Sequence, residues 1–455
     1  MSTVTSFRPR TRRNVELVLL LMAIAIVLVA YLNVGLAIDG AFPPDLIGYG
    51  SGLLVLSVGF HLVLRWRASY ADPLMLPIAT LLNGLGLVMI HRLDFERAAG
   101  DTLAPKQLIW SAVGVLIATG VMISLRDHRQ LRRFTFTAMA AGLGMLLLPL
   151  LPGIGRSING SRIWIGIGPL SFQPGEVAKI LLVIFFAGYL VQKRDVLSLV
   201  GSRFLWIRLP RAQDLGPILV AWLASVGVLV FEKDLGSSLL FFGLFVSMLY
   251  VATERRSWIA IGLSLFLAGS YVAYLLFAHV QARVLLWLDP FSPAVSDQVA
   301  KGLMGMASGG LLGNGLGRGH PEFTYFPESD FIIPSFGEEI GLIGLFALLL
   351  LYVLLVERGL RTALGVRDGF GKLLAVGLSF SVALQCFVVV GGVTRVIPLT
   401  GLTMPFLSYG GSSLLANWSV VALLLRISDQ ARRPLPDAEE LATAAAAHTQ
   451  VVRRP

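Results

Sequence analysis

The sequence predicts an all-α polytopic membrane protein of about twelve transmembrane helices, with a large extracytoplasmic loop between helices 9 and 10. Three observations predict it. The chain is 55% hydrophobic and 14% charged with a mean hydropathy of +0.76, whereas a soluble domain carries about a quarter charged residues. Apolar runs of the ~20 residues needed to cross a bilayer begin near Asn14, Leu46, Pro73, Leu108, Phe134, Pro174, Leu215, Gly236, Ser257, Phe336, Lys372 and Ser412. With the N-terminus placed inside, the inner segments hold 26 of the 37 Lys and Arg and the outer ones 11, the bias that orients membrane proteins. The net charge of +10 then reflects topology and contact with anionic membrane lipids, and no nucleic-acid partner is implied. An even number of spans puts both termini in the cytoplasm.

Residues 1–13 read as a cytoplasmic basic tail, 14–427 as one transmembrane domain, 279–335 as the large outer loop and 428–455 as a disordered cytoplasmic tail. The first apolar run is too long to be a removable signal peptide. The first two spans meet at an outer turn around Pro43 and Pro44, and Arg65-Trp66-Arg67 marks the inner connection. The loop from His91 to Lys106 carries mixed charge and no readable motif. After the fifth span comes a glycine-rich outer loop, Gly153 to Phe172, containing Arg162 and Trp164. It leads into Gln173-Pro174-Gly175-Glu176 and Lys179, with Pro174 suited to the first turn of a helix. Glu176 and Lys179, three apart, share a helix face and are either a structural ion pair or part of a site needing both signs. The basic connection Lys193 to Asp214 fits an interfacial helix or an irregular loop. Lys233 and Asp234 end the seventh span, where Asp234 reads as a helix N-cap.

The segment His279 to Ser335 runs through Arg283, Lys301 and a glycine-rich stretch ending in Arg318. Its glycines follow no β-α-β pattern, so no nucleotide fingerprint is implied. It closes on Tyr325 to Glu339, which packs Glu328, Asp330, Glu338 and Glu339 between prolines and large apolar residues. A carboxylate near membrane depth is costly and marks a functional site by default. From position alone, Asp330 equally reads as a helix cap or an arginine partner. Gly391 to Ser413 holds Arg395 and has too many prolines and glycines for a regular helix, so it lines a cavity or re-enters the membrane. Cys386 is the only cysteine, which rules out an intrachain disulfide.

Together Gly401-Leu402-Thr403-Met404-Pro405-Phe406-Leu407-Ser408-Tyr409-Gly410-Gly411-Ser412-Ser413, Gln173-Pro174-Gly175-Glu176 with Lys179, Asp234-Leu235-Gly236 and Asp330-Phe331-Ile332 with Gly337-Glu338-Glu339-Ile340-Gly341 resemble the SEDS family, RodA and FtsW, from the fifth span to the twelfth. The RodA branch is the nearer. The resemblance implies a peptidoglycan glycosyltransferase of the bacterial cytoplasmic membrane. Such an enzyme polymerises lipid II at the outer face, in cell elongation and shape maintenance, beside a class B penicillin-binding protein. It implies that Asp330 is the essential aspartate and Lys179 a sensitive lysine, with Gln173 in the same motif. Here Ile163 precedes Trp164 and Ser171 stands where the family has Arg. The cation that meets the diphosphate therefore stays open among Arg162, Lys233, Arg318 and Arg395.

The chemistry suits these residues. Inverting transfer of a sugar needs a base for the incoming hydroxyl, which assigns Asp330. A departing diphosphate needs a cation beside it, which assigns Lys179 first, with Glu176 and Asp234 holding the cations in place. The motifs call for no organic cofactor, and a divalent ion such as Mg2+ or Mn2+ stays open. A lipid II flippase would also use broken helices and intramembrane charge, and a non-catalytic scaffold for the penicillin-binding protein is a third reading.

Overall fold

The computed structural model describes residues 11–97, 101–158, 161–167, 170–199, 201–204, 207–210, 234–292 and 297–434, with isolated positions between 216 and 227. Among them are thirteen α-helices: α1 Arg13–Ile38, α2 Leu46–Arg67, α3 Met75–Asp94, α4 Ala104–Ser124, α5 Thr135–Leu147, α6 Pro174–Leu199, α7 Leu235–Thr253, α8 Ser257–Leu276, α9 Ala278–Leu288, α10 Gln298–Gly309, α11 Ile332–Gly365, α12 Gly369–Val393 and α13 Gly411–Arg432. Eleven described helices are long and apolar enough to cross a membrane, α5 by joining short 3-10 turns on either side. They match eleven of the twelve expected runs. The run beginning near Leu215 lies outside the described residues, as do Lys233, most of the basic tail and residues 435–455.

The burial pattern is that of a protein solvated by lipid. On α1, Val15, Val18, Met22, Ile26 and Val29 are exposed, while Glu16 and Tyr31 face inward. Inside, Asn83 donates to Ser111 Oγ at 3.0 Å and accepts from Trp418 Nε1 at 3.3 Å. This polar link ties α3, α4 and α13 where unpaired groups would be costly.

One end of the bundle is basic. Arg13 pairs with Glu16 at 2.6 Å, His61 meets Glu16 at 2.7 Å, and Arg432 pairs with the fully buried Asp72. Asp429 accepts from the Tyr70 amide at 2.9 Å. The start of α1 and the end of α13 therefore lie at this same end. Two expected boundaries move in consequence. Arg13 belongs to α1 rather than to a tail, and α13 continues to Arg432, beyond residue 427, because Asp429 and Arg432 anchor its last turn.

Three loops are more ordered than the sequence suggested. Residues 155–172 form an antiparallel meander, β1 Gly155–Ile158, β2 Ser161–Ile167 and β3 Leu170–Phe172, with Arg156 opposite Trp164. The inner connection is a hairpin, β4 Gly201–Phe204 paired with β5 Ile207–Pro210, rather than an interfacial helix, since Pro210 cannot continue one. The large loop contains α9 and α10.

Helix α11 is two helices in sequence. Gly341 has φ +66°, and the nine residues before it, Ile332 to Ile340, are almost wholly buried. The break severs helical hydrogen bonds, and residues 310–315 replace them. Leu342 N–H donates to Gly310 O at 3.0 Å and Ile343 N–H to Leu311 O at 3.1 Å, while Asn314 and Gly315 donate to Glu338 O and Glu339 O at 3.0 and 2.9 Å. The approach is so close that a Cβ on Gly341 would lie 2.3 Å from the Gly313 nitrogen. Four backbone groups at the break thus find partners, as membrane depth demands.

Candidate active site

The short helix Ile332–Ile340 carries the carboxylate-rich segment at its start. Three of the four carboxylates are structural. Glu328 pairs with Arg97 at 3.0 Å. Glu338 accepts from the His320 amide at 2.8 Å. Glu339 takes Arg92 Nε at 2.9 Å and the Gly317 amide at 3.1 Å. Asp330 differs from them. The N-cap of α11 is Phe331, without a side-chain cap, and among the described residues Asp330 has no ion pair within 4.0 Å. Neither the cap nor the arginine partner read from position is formed.

Burial pushes the Asp330 carboxyl up to about 6, against the pull of Arg283 and with a further upward push from Glu328 and Asp234. Asp234 is also raised, by burial, although it caps α7 by accepting from the Ser237 amide at 3.0 Å. Arg283, on α9, interacts with both carboxylates.

The segment between α12 and α13, residues 394–410, is the hub that brings these groups together. It is non-helical as expected, although Gly391 to Val393 still belong to α12 and Gly411 to Ser413 already begin α13. Arg283 Nη1 donates to Leu399 O at 3.2 Å and Thr400 O at 3.0 Å. Gly401 follows in the left-handed region, φ +76°, and a Cβ there would lie 3.7 Å from Asp330 Oδ2. Ser408 Oγ donates to Ser329 O at 2.7 Å, and the Tyr409 amide to Glu328 O at 2.7 Å. The signature segment thus grips both residues that precede Asp330.

Lys179 reaches the hub indirectly. Its ammonium donates to Glu176 at 3.0 Å and to Gln385 Oε1 at 2.7 Å, and Gln385 Nε2 donates to Thr403 O at 2.9 Å. Both ions are buried. Gln173 is buried at the start of α6. On the same helix, Val177, Ile180, Leu181 and Ile184 line an apolar groove of about 580 Å3 with Leu415 and Leu423 of α13.

The other expected cations lie elsewhere or are engaged. Arg395, at φ +62°, donates Nε to Trp287 O at 3.0 Å and Nη2 to Leu288 O at 2.9 Å. Arg162 donates to Leu151 O at 3.3 Å. Arg318 is exposed in a loop whose Gly317 packs on Val34 and Ala37 of α1.

Sequence reasoning passed over Arg283, Gln385, Arg92 and Arg97. For the first two a signal existed, a lone polar side chain inside an apolar run; for the arginines of the His91–Lys106 loop none did, because their partners are over 200 residues away. Among the described residues no group of three or more His, Cys, Asp or Glu side chains is placed to hold a metal, and Arg283 supplies the positive charge between Asp234 and Asp330.

The model of the FtsW/RodA/SpoVE family of cell cycle proteins matches residues 73–433. The chain is 51% identical to the peptidoglycan glycosyltransferase RodA of Mycobacterium tuberculosis, over 93% of this chain and 92% of that protein. It is 33% identical to the stage V sporulation protein E of Bacillus subtilis, over 79% and 98%. Among solved structures it is similar to a chain of a peptidoglycan synthase complex that coordinates polymerization and crosslinking, at TM-score 0.65 and 27% identity, covering 79% of this chain and 98% of that one. Thermus thermophilus RodA is similar at TM-score 0.58 and 25% identity, covering 82% and 100%.

Proposed function

The chain belongs to the FtsW/RodA/SpoVE family, and we propose from this premise that it is a peptidoglycan glycosyltransferase polymerising lipid II, with Asp330 as general base. The higher identity to RodA than to other family branches favours the role in cell elongation. The hub that joins α12 to the start of α13 lies at the other end of α13 from the basic cluster at Asp429 and Arg432, which, with a positive interior, supports a cytoplasmic start of α1 and end of α13 and an outer Asp330, in the bacterial cytoplasmic membrane. A similar chain comes from a complex that couples polymerization to crosslinking, which supports a class B penicillin-binding protein as partner.

The observation that carries the mechanism is the contrast within one segment. Three carboxylates are tied to arginines or amides, and the fourth, Asp330, has no ion pair among the described residues, only a side-chain hydrogen bond with Ser329, and is raised to about 6. A base of that strength is ionised at neutral pH yet holds a proton better than an ordinary carboxylate. Asp330 accepts the proton of the incoming saccharide hydroxyl as its oxygen bonds to the anomeric carbon of the donor. The bond from that carbon to the phosphate oxygen breaks on the opposite face, and the polyprenyl diphosphate leaves with the electron pair. The proton then passes from Asp330 to water. Lys179, bonded to Glu176 and Gln385, acts by fixing the 394–410 segment through Thr403. Helix α6 turns these residues toward the hub and its apolar face toward the groove, which suits a substrate with a charged head and a long isoprenoid tail.

Purified protein supplied with lipid II in detergent tests the proposal, with and without the partner. Glycan strands from the wild type and none from Asp330→Asn support it. Scrambling of lipid II in sealed vesicles without polymer would establish a flippase instead. Partner binding with no polymer from either would establish a scaffold.

A further inference from the structure

We propose that Arg283 is the residue that binds the departing diphosphate, a catalytic role held by none of the cations that the sequence motifs single out. The inference rests on the glycosyltransferase reading above and names the group that receives its leaving group.

The first argument is availability. A diphosphate leaving without protonation gathers negative charge as the bond breaks, and a cation with unused donors must meet it. Lys179 is buried and already gives two hydrogen bonds, to a carboxylate and an amide. Arg395 gives Nε and Nη2 to backbone carbonyls of α9, and Arg162 is bonded at the end of α5, to Leu151. Arg283 is half-buried, and among the described residues both of its hydrogen bonds leave from Nη1. Its Nη2 and Nε remain for a ligand, two parallel donors in the fork that suits a phosphate.

The second argument is position. The carbonyls that hold Nη1 belong to Leu399 and Thr400, and the next residue, Gly401, lies beside Asp330 Oδ2. Guanidinium and base therefore flank one short piece of backbone. In an inverting transfer the base-bound hydroxyl and the leaving phosphate must sit on opposite sides of one carbon, and two groups anchored on adjacent peptides can serve the two sides. Gly401, with no side chain and a left-handed backbone, leaves that space open.

The third argument is charge. Asp234 and Asp330 both feel Arg283, and without it they would repel an incoming dianion. Neither carboxylate lies within 4.0 Å ion-pair distance among the described residues, so the guanidinium is held by neutral carbonyls. An arginine anchored in this way keeps its full charge for a ligand, whereas Lys179 has given its own to Glu176.

The test uses geranylgeranyl diphosphate and the corresponding monophosphate as probes, with the full chain in detergent. In the wild type the diphosphate raises the thermal midpoint and inhibits polymerisation more strongly than the monophosphate. Arg283→Gln weakens diphosphate inhibition at least tenfold and abolishes its thermal shift, leaves the weak effect of the monophosphate nearly unchanged, and lowers kcat/KM at least a hundredfold. Arg283→Lys, which keeps the charge and loses the fork, falls between the two and guards against a folding defect in the first variant. Arg318→Gln leaves diphosphate inhibition within twofold of wild type. An unchanged diphosphate response in Arg283→Gln, or a larger loss in Arg318→Gln, overturns the assignment. If the wild type makes no polymer, the glycosyltransferase reading fails, and the thermal shift still decides whether Arg283 binds the diphosphate.

Discussion

Replacing Asp330 by Asn should abolish activity and stabilise the protein. In the folded chain the carboxyl is raised from the ordinary 3.8 to about 6, a shift of about two units. At ~1.4 kcal/mol per unit, keeping Asp330 ionised costs the fold about 3 kcal/mol. The sign follows from linkage. A group whose folded pKa lies above its unfolded one stabilises the fold while protonated, below about pH 4, and that contribution is lost as the pH rises through about 6. At pH 7.5 the wild type carries the whole penalty and Asn carries none. Asn also breaks no ion pair, and Arg283 keeps Asp234 as a counter-charge. The expected outcome is a thermal midpoint a few degrees above wild type at pH 7.5, converging near pH 4, read by tryptophan fluorescence in detergent. Loss of the base lowers polymer formation by about 10²–10⁴-fold. A variant less stable than wild type at pH 7.5, or a difference that ignores pH, would show that the carboxylate is structural. Undiminished polymer would remove it from the chemistry.

Three other outcomes follow from the same geometry. Polymerisation by the wild type should rise with pH through about 6 and flatten above it, because the ionised Asp330 is the active form; a rate that is flat from pH 5 to 8 contradicts this. Lys179→Met strands a buried Glu176 and should lower stability by about 3–5 kcal/mol. Adding Glu176→Gln should recover the melting temperature without recovering activity, since the link through Gln385 to Thr403 stays broken; full activity in the double variant would deny Lys179 its positioning role. Gly341→Ala forces a side chain onto a backbone conformation, φ +66° and ψ −174°, that is essentially reserved for glycine, about 1–3 kcal/mol, and a clash with the Gly313 nitrogen. It should speed proteolysis within residues 310–315 and depress polymerisation together, and fast cleavage with normal activity would uncouple the two.

The spans were legible because each needs only a run of apolar residues, and lipid-facing surfaces ask for nothing more. The caps were legible for a similar reason: Pro174 and Asp234 act within one turn of their own helix. The stretch up to Gly410 was legible as irregular backbone, though not as the hub it forms, because most of its work is done through backbone groups. The carbonyls of Leu399, Thr400 and Thr403 and the amide of Tyr409 make the contacts, and any sequence supplies carbonyls and amides. The break at Gly341 was hidden in the same way. Composition shows a long apolar helix, and only the reciprocal hydrogen bonds with residues 310–315 show that its first nine residues are a separate piece.

That division explains why one segment carries four carboxylates and uses one. Glu328, Glu338 and Glu339 each accept a bond from an arginine or a backbone amide. These bonds also hold the chain: Arg92 and Arg97 fasten the end of α3 and the turn after it to both sides of Asp330, and Glu338 and Glu339 secure residues 317–320. Asp330 must do the opposite, staying without such a bond so that burial can raise its proton affinity. A carboxylate without an ion pair would ordinarily turn toward water or toward the nearest cation. Here the backbone on either side is fixed, by Glu328 and Ser329 bound to the 394–410 segment and by the short buried helix that begins at Ile332. The three engaged carboxylates and the glycine break are what allow the fourth to remain free.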